Sequence, residues 1–161
     1  MDEEVGSIVR GVGFLVRGVP YETGAVDQLV FERLCELTKD PWHFQVAAGV
    51  HHCNLCRFTG NSVASYQGIA GKPNAIRTPG LRVSATSSSG SVLIPGDGHL
   101  FSFLTSITHY IDSHGFCPPA EFCEAVLNCP PMRSMSYFKA LLKNGGRRLG
   151  ITARGGPSGE T

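Results

Sequence analysis

The chain has 161 residues, of which 42% are hydrophobic and 17% are charged, and its formal net charge is +1 at pH 7. These values are typical of a globular protein, and the length suffices for one domain with a hydrophobic core of its own. A net charge close to zero argues against an overall electrostatic field that would draw the protein to nucleic acid or to an anionic membrane.

The N-terminal sequence predicts a protein without an export signal. Residues 1–4 include three acidic side chains in place of the basic ones that begin a signal peptide. The apolar residues 8–19 are interrupted by Arg10 and Arg17 and are too few to cross a bilayer. We therefore expect a cytoplasmic protein, in which the cysteines are thiols or metal ligands rather than disulfides.

The first third of the chain predicts a strand followed by a helix. Residues 11–17 are apolar and β-branched, which is typical of a strand, and residues 18–24 have the composition of a turn. In residues 26–37 the apolar side chains recur at intervals of three and four, which indicates an amphipathic helix. Pro41 ends this region, because a residue before proline is disfavoured in helical conformation.

The middle of the chain predicts a loop and a hairpin. Residues 60–79 are rich in glycine, serine, asparagine and proline, and we interpret them as a long loop. Apolar and polar residues alternate in residues 81–85 and 92–94, which indicates two strands of a β-hairpin connected through residues 87–90. Residues 95–98 then predict a further turn.

The last third of the chain predicts three helices. Residues 103–114 have an apolar stripe at helical spacing, and Gly115 is a natural residue to follow a helix end. The Pro118-Pro119 pair begins a third helix, which the next proline pair ends. Residues 134–143 form the predicted fourth helix.

Together these elements predict a small single domain of the α+β class, with a zinc knuckle, a β-hairpin and about four helices. We expect residues 1–10 to be an N-terminal tail and residues 11–144 to be the zinc-binding domain. Residues 145–161 are rich in glycine and arginine, which predicts a flexible C-terminal tail.

Two pairs of residues predict a metal site. The Cys53-x-x-Cys56 motif allows two thiolates to meet at one ion from a tight turn, and His109 and His114 supply two imidazoles at a helix end. Zinc accepts four sulfur and nitrogen ligands of this kind. The sequence therefore predicts one Zn²⁺ ion bound by Cys53, Cys56, His109 and His114.

The spacing of the two histidines sets a geometric condition. Residues five apart on an ideal α-helix are rotated by about 500°, which leaves them roughly 140° apart around the axis. The two imidazoles can therefore share an ion only if the last helical turn is loosened, which Gly115 makes feasible.

Further residues compete for the metal, and the two cysteines of the motif also allow roles without one. Cys117 lies close to His114 and could replace either histidine, and His51 could be a ligand or could support one. The Cys-x-x-Cys pair could instead be a redox pair or two buried thiols, although a long loop after it argues against a thioredoxin-like motif. Core burial is the ordinary expectation for Cys123 and Cys129, and the role of Cys35 is open.

The combined pattern of motifs resembles an uncharacterised family of small bacterial proteins, a domain of unknown function. The resemblance covers most of residues 11–143. It implies metal ligands at the two cysteine and two histidine positions above and a further histidine at His51, and it implies none at Cys117. It implies no activity. The matching segments are 13–15, 20–24, 51–56, 94–96, 109–116 and 118–122.

Three functional hypotheses follow. Four protein ligands leave no open position on zinc, so the first is a structural zinc in a module that binds a protein or a small molecule. The alternative is a zinc-dependent enzyme of hydrolase or lyase type in a bacterial biosynthetic pathway, which needs an open coordination position. Its candidate acid and base groups are His51, His52, Asp97, His99 and Asp112, of which we expect Asp112 to be a solvated helix residue and His99 to be exposed.

The third hypothesis is a nucleic-acid-binding zinc module, because the C-terminal part of the chain is basic. We favour a solvated helix face followed by a flexible tail instead, since the net charge is only +1. The basic residues concerned are Lys139, Lys143, Arg147, Arg148 and Arg154.

Overall fold

The computed structural model of the protein describes residues 8–55 and 87–151, except for the side chains of residues 45–52 and 87–89. The centre of the fold is a mixed sheet in the spatial order β1-β4-β3-β2. β3 is antiparallel to β2 and to β4, whereas β1 is parallel to β4. The strands are β1 (Val9–Gly11), β2 (His43–His52), β3 (Ser87–Pro95) and β4 (Leu100–Leu104).

The helices pack on this sheet and on one another, and together they confirm the predicted α+β class. The helices are α1 (Gln28–Leu37), α2 (Ile107–His114), α3 (Ala120–Asn128) and α4 (Met135–Lys143), followed by a 3-10 helix (Gly146–Leu149). α1 contacts α2 and α3, and both α3 and α4 contact β3. No helix in the described ranges has the length and apolar character that crossing a membrane requires.

The core is built from aromatic and aliphatic side chains between the sheet and the helices. The Phe122 ring on α3 lies 5.5 Å from the rings of both Phe101 and Phe103 on β4, in edge-to-face contacts. The buried Tyr137 on α4 donates a hydrogen bond of 2.6 Å to the Leu93 carbonyl of β3. This bond satisfies a hydroxyl that burial would otherwise leave unpaired, and it fixes α4 on the sheet.

Helix boundaries follow the capping residues. α1 begins at Gln28, two residues later than predicted, because the Asp27 carboxylate accepts a hydrogen bond of 2.7 Å from the Leu29 amide. α4 begins at Met135 for the same reason, since the Ser134 hydroxyl accepts from the Tyr137 amide.

The prediction of a strand in residues 11–17 is wrong. β1 ends at Gly11, and the following residues form a loop. Gly13 has a φ of +73°, a left-handed conformation that cannot continue a strand and that glycine adopts without strain. A Cβ atom at Gly13 would lie 3.2 Å from the Ile107 side chain, so the chain turns here in close contact with α2.

Two predictions in the middle of the chain are also wrong. Ser87–Gly90 is part of β3 and not a hairpin connection, and the hairpin in the described residues is β3–β4, joined at the turn predicted for residues 95–98. Phe103 belongs to β4 and not to the following helix, because it pairs with Val92 of β3, and burial alternates from Phe101 to Leu104 as in a strand. The predicted strand at residues 81–85 and the predicted loop at residues 60–79 lie outside the described residues.

Residues 9–10 and 146–151, which were predicted to belong to the two tails, are part of the folded domain. Val9 and Arg10 pair with Leu100 and Phe101 of β4, so residues 9 and 10 belong to the sheet. Gly146–Leu149 forms a 3-10 helix, and the Ile151 side chain is only 4% exposed. The burial of Ile151 explains this order, because an apolar anchor fixes the glycine-rich segment before it.

Stability should fall with increasing pH above 9, because buried thiols resist ionisation. Burial raises the pKa of Cys129 from 9.0 to about 12. Between these pH values the folded chain retains a proton that the unfolded chain has lost, so unfolding becomes easier as pH rises. One such group contributes at most about 1.4 kcal/mol per pH unit. The pH dependence of urea unfolding between pH 8.5 and 10.5 should therefore be shallower in Cys129→Ala than in the wild type.

The slope with pH is the quantity to compare, since the lost side-chain volume lowers the stability of Cys129→Ala at every pH. Parallel slopes for the two proteins would contradict the assignment of this proton to Cys129.

Candidate metal centre

Three side chains from two separate parts of the chain meet at one point. The ligand atoms of Cys53, His109 and His114 all lie within 4.8 Å of one another. The Cys53 Sγ is 3.4 Å from the His114 Nε2, and the two imidazole rings are 5.0 Å apart and nearly perpendicular. Cys53 and His109 are each 3% exposed, whereas His114 is half-buried. The three residues are therefore close enough to bind one metal ion.

The end of α2 explains how His109 and His114 come together. The amide of Gly115 donates a hydrogen bond to the Tyr110 carbonyl, five residues earlier, and the amide of Phe116 donates to the same oxygen at 3.1 Å. A bond over five residues widens the last turn beyond that of an α-helix. The loosened turn that the histidine spacing requires is thus confirmed.

Gly115 makes this helix end possible. Its φ of 65° and ψ of 20° place it in the left-handed region, where a side chain costs conformational energy. The chain therefore leaves the helix directly after His114, and its amides turn back toward Tyr110.

A loop on the other side holds both halves of the centre. The Arg17 Nε donates to the Asn54 carbonyl at 3.0 Å, next to Cys53. The Tyr21 hydroxyl donates to the His114 carbonyl at 2.9 Å. We call residues 12–24 the connecting loop, because it contacts the chain around Cys53 and the end of α2.

The electrostatic environment favours a neutral imidazole at His109. Burial, and next the neighbouring His114, lower the pKa of His109 from 6.5 to about 4. At neutral pH this ring therefore carries a lone pair, which is the form that coordinates a metal. A metal ion would bind at the ring nitrogen that burial keeps free of a second proton.

The other three candidate ligands differ in what the structure describes of them. Cys56 lies outside the described residues, so its membership in the site stays a prediction. His51 lies on β2, and its side chain is not among those that the structure describes. Cys117 is not a member of the three-residue group, and its sulfur instead contacts the carbonyls of Ala25 and Pro118 at 3.8 and 3.7 Å.

Two of the candidate acid and base groups are less exposed than expected. Asp112 is 7% exposed, so the expectation of a solvated helix residue is wrong; it is one of six consecutive buried residues, 107–112, in α2. The His99 ring is half-buried, with its Nδ1 2.9 Å from the Asp97 carbonyl. Asp97 and His99 lie in the β3–β4 turn and are not members of the metal-ligand group.

Sequence reasoning missed the roles of Arg17 and Tyr21. Arginine and tyrosine in a predicted strand and turn give no local sign of bonds to distant backbone carbonyls. The one available signal was that residues 20–24 belong to the pattern on which the family resemblance depends.

The fold and the site define a small α+β domain in which Cys53, His109 and His114 are close enough to bind one metal ion. The chain belongs to the family described as Domain of unknown function (DUF7919), whose model matches residues 2–127. This match includes the sheet, α1, α2 and the three grouped residues. No curated protein and no solved structure matches the chain.

Substitution of Gly115 should weaken metal binding in addition to lowering stability, and a control glycine distinguishes the two effects. Alanine at a left-handed position costs about 1–2 kcal/mol, so Gly115→Ala should lower stability and distort the helix end that positions His114. We expect roughly tenfold weaker Co²⁺ binding in a competition titration, which corresponds to a similar free energy.

Gly98→Ala is the matched control, since Gly98 also has a positive φ of 75° and no atom within 4 Å of an added Cβ. It lies in the β3–β4 turn and should lose similar stability while retaining the wild-type affinity for Co²⁺. Equal affinities in the two variants would exclude a role of the helix end in positioning the ligand.

Proposed function

We propose that the protein is a zinc-binding module in which the ion is mainly structural. The observation that supports this most directly is the 3.4 Å separation of the Cys53 Sγ and the His114 Nε2. Bonds of about 2.3 Å to sulfur and about 2.0 Å to nitrogen, arranged tetrahedrally, require a sulfur–nitrogen separation of roughly 3.5 Å. The two atoms are thus spaced as ligands of one zinc ion would be.

The donor set also favours zinc over harder cations. One thiolate and two imidazoles are suited to a borderline-soft ion, whereas magnesium and calcium prefer oxygen ligands. Cys56 is the fourth ligand that the sequence predicts, and its thiolate would close the tetrahedron. A thiol–imidazole hydrogen bond would produce the same 3.4 Å contact, so metal content decides between the two.

Burial supports a structural role. Cys53 and His109 are each 3% exposed and are surrounded by core residues, so an ion here would join the end of β2 to α2 from within the fold. Such an ion supplies folding free energy directly, because the unfolded chain offers no preformed site.

The connecting loop is the surface that we propose for partner binding. Three of its apolar side chains are about half exposed or more: Phe14 at 50%, Val16 at 51% and Val19 at 59%. Arg17 and Tyr21 attach this loop to the chain on both sides of the metal centre. Zinc would therefore fix the apolar surface in one conformation, which lowers the entropy cost of binding a partner.

Removal of zinc should destabilise the protein strongly. If free zinc is near a thousand times its dissociation constant, its loss costs about 4 kcal/mol, and for a chain of this size the melting temperature should fall by on the order of 10 °C. Elemental analysis should find one zinc per chain. Treatment with a chelator, followed by thermal unfolding monitored by circular dichroism, tests the effect.

Single substitutions show which residues bind the ion. Cys53→Ser and His109→Gln should abolish stoichiometric zinc, and Cys56→Ser tests the predicted fourth ligand. Cys117→Ser is the matched control, because this cysteine lies outside the group and should retain one zinc per chain. Purified protein that contains no zinc and melts at the same temperature with and without chelator would refute the proposal.

X-ray absorption spectroscopy of the zinc-loaded protein distinguishes a structural from a catalytic ion. Two sulfur and two nitrogen ligands with no water correspond to the closed site that we propose. A coordinated water in place of one side chain would instead support the zinc-dependent enzyme.

A further inference from the structure

Two cysteines outside the metal-ligand group are neighbours. The Cys117 Sγ lies 3.7 Å and the Cys123 Sγ lies 3.8 Å from the same carbonyl oxygen, that of Pro118. Cys117 precedes the two prolines that begin α3, and Cys123 lies in the first turns of that helix. The turn at Pro118 therefore directs two thiols that are six residues apart toward the same carbonyl oxygen.

One of these thiols borders open space. Cys117 forms part of the wall of a cavity of about 670 Å³, together with Tyr21, Phe116 and Pro118. Gly24 faces the Cys117 sulfur, and a Cβ atom there would approach it to 3.3 Å. The sulfur therefore packs closely against the backbone of Gly24, and a small reagent would reach Cys117 from the cavity.

We propose that Cys117 and Cys123 form an oxidation-sensitive dithiol, which a peroxide converts into an intramolecular disulfide. This site is separate from the proposed zinc centre. Within the described part of the chain, no third cysteine, histidine or carboxylate completes a metal-binding group with these two thiols, which argues against a second ion here.

The chemistry requires two steps and one equivalent of peroxide. The Cys117 thiolate attacks a peroxide oxygen and breaks the O–O bond, which yields a sulfenic acid and, with one proton, water. The Cys123 sulfur then attacks the Cys117 sulfur and displaces hydroxide, which leaves as a second water with the Cys123 proton. In total two thiols are oxidised by two electrons, and hydrogen peroxide is reduced to two molecules of water.

The positions of the two sulfurs assign the order of these steps. Cys117 faces the cavity and is the first to meet the oxidant. Burial, and next the neighbouring Cys117, raise the pKa of Cys123 to about 11, so Cys123 remains a thiol until the sulfenic acid forms beside it. A disulfide needs a sulfur–sulfur distance of about 2.0 Å, so the two side chains would have to rotate away from the Pro118 oxygen and toward each other.

The disulfide would tie α3 to the segment that leaves the metal centre. The Cys117 amide donates to the Glu22 carbonyl at 3.0 Å, and Gly115 and Phe116 separate it from His114. Oxidation would thus covalently fix the junction of the connecting loop, α2 and α3, while leaving Cys53, His109 and His114 unmodified.

Peptide mass mapping tests the proposal on the full-length protein. The protein, with the metal content it has after purification, is treated with hydrogen peroxide, unfolded, alkylated and cleaved after glutamate. Because Glu121 lies between the two cysteines, this cleavage separates them, and a second cleavage after lysine and arginine, at Arg82, separates Cys117 from Cys53 and Cys56. Only a Cys117–Cys123 disulfide then keeps the two peptides 83–121 and 122–124 together. We expect a linked pair lacking two hydrogen atoms and released by dithiothreitol, with Cys35 and Cys129 still alkylated.

Variants identify the mechanism. In Cys123→Ser the sulfenic acid at Cys117 has no partner, so dimedone should label Cys117 in this variant and not in the wild type. Cys129→Ser is the matched control and should still form the linked pair; circular dichroism checks the fold of both variants. Alkylatable Cys117 and Cys123 after peroxide treatment, or equal dimedone labelling in wild type and Cys123→Ser, would overturn the proposal.

Metal analysis before and after oxidation keeps this result distinct from the proposed zinc function. The linked pair should form without loss of bound metal, and it should also form in a chain that contains none. Oxidation confined to Cys53 or Cys56 would contradict the dithiol and leave the zinc proposal intact.

Discussion

The bond from the Gly115 amide to the Tyr110 carbonyl is the interaction on which the candidate site depends. An ideal α-helix would hold His109 and His114 on different faces, since five residues correspond to roughly 140° of net rotation. The bond over five residues widens the last turn and brings the two rings to 5.0 Å. A helix of eight residues can absorb this distortion at its end, where no further turn has to follow.

The same helix end determines how the rest of the chain is arranged. After Gly115 the backbone pairs with the connecting loop, through the Gly24 amide to the Gly115 carbonyl and the Cys117 amide to the Glu22 carbonyl. These bonds, with the Tyr21 bond to His114, make the loop part of the support of the centre. Hydrogen bonds to the end of α2 and to the segment after it thus hold in place a loop that has no regular secondary structure of its own.

The sequence predicted local elements better than it predicted their partners. The helices after Asp27, Pro119 and Ser134 were recognisable because their starts depend on neighbouring residues and on a repeat of the apolar pattern. Phe103 was misplaced because its spacing from Ile107 also suits a helix, whereas its pairing with Val92 of β3, a partner distant in sequence, makes it part of a strand. The three grouped residues were predicted from their chemical types, whereas their approach depends on Arg17 and Tyr21, whose distant contacts leave no local pattern.

The cysteines show why burial alone does not identify a metal ligand. Cys53 and Cys129 are both 3% exposed, so their exposed fractions do not distinguish them. Their neighbours differ: the Cys129 sulfur contacts the Pro130 carbonyl at 3.4 Å, whereas the Cys53 sulfur faces the imidazole of His114 at the same distance. A carbonyl accepts a hydrogen bond from a thiol and so favours the neutral thiol, whereas two neutral imidazoles offer lone pairs that can bind a metal ion together with a thiolate. Identical burial therefore leaves a core thiol in one place and a thiol placed where it could bind a metal ion in the other, and the second neighbour, His109, makes the difference.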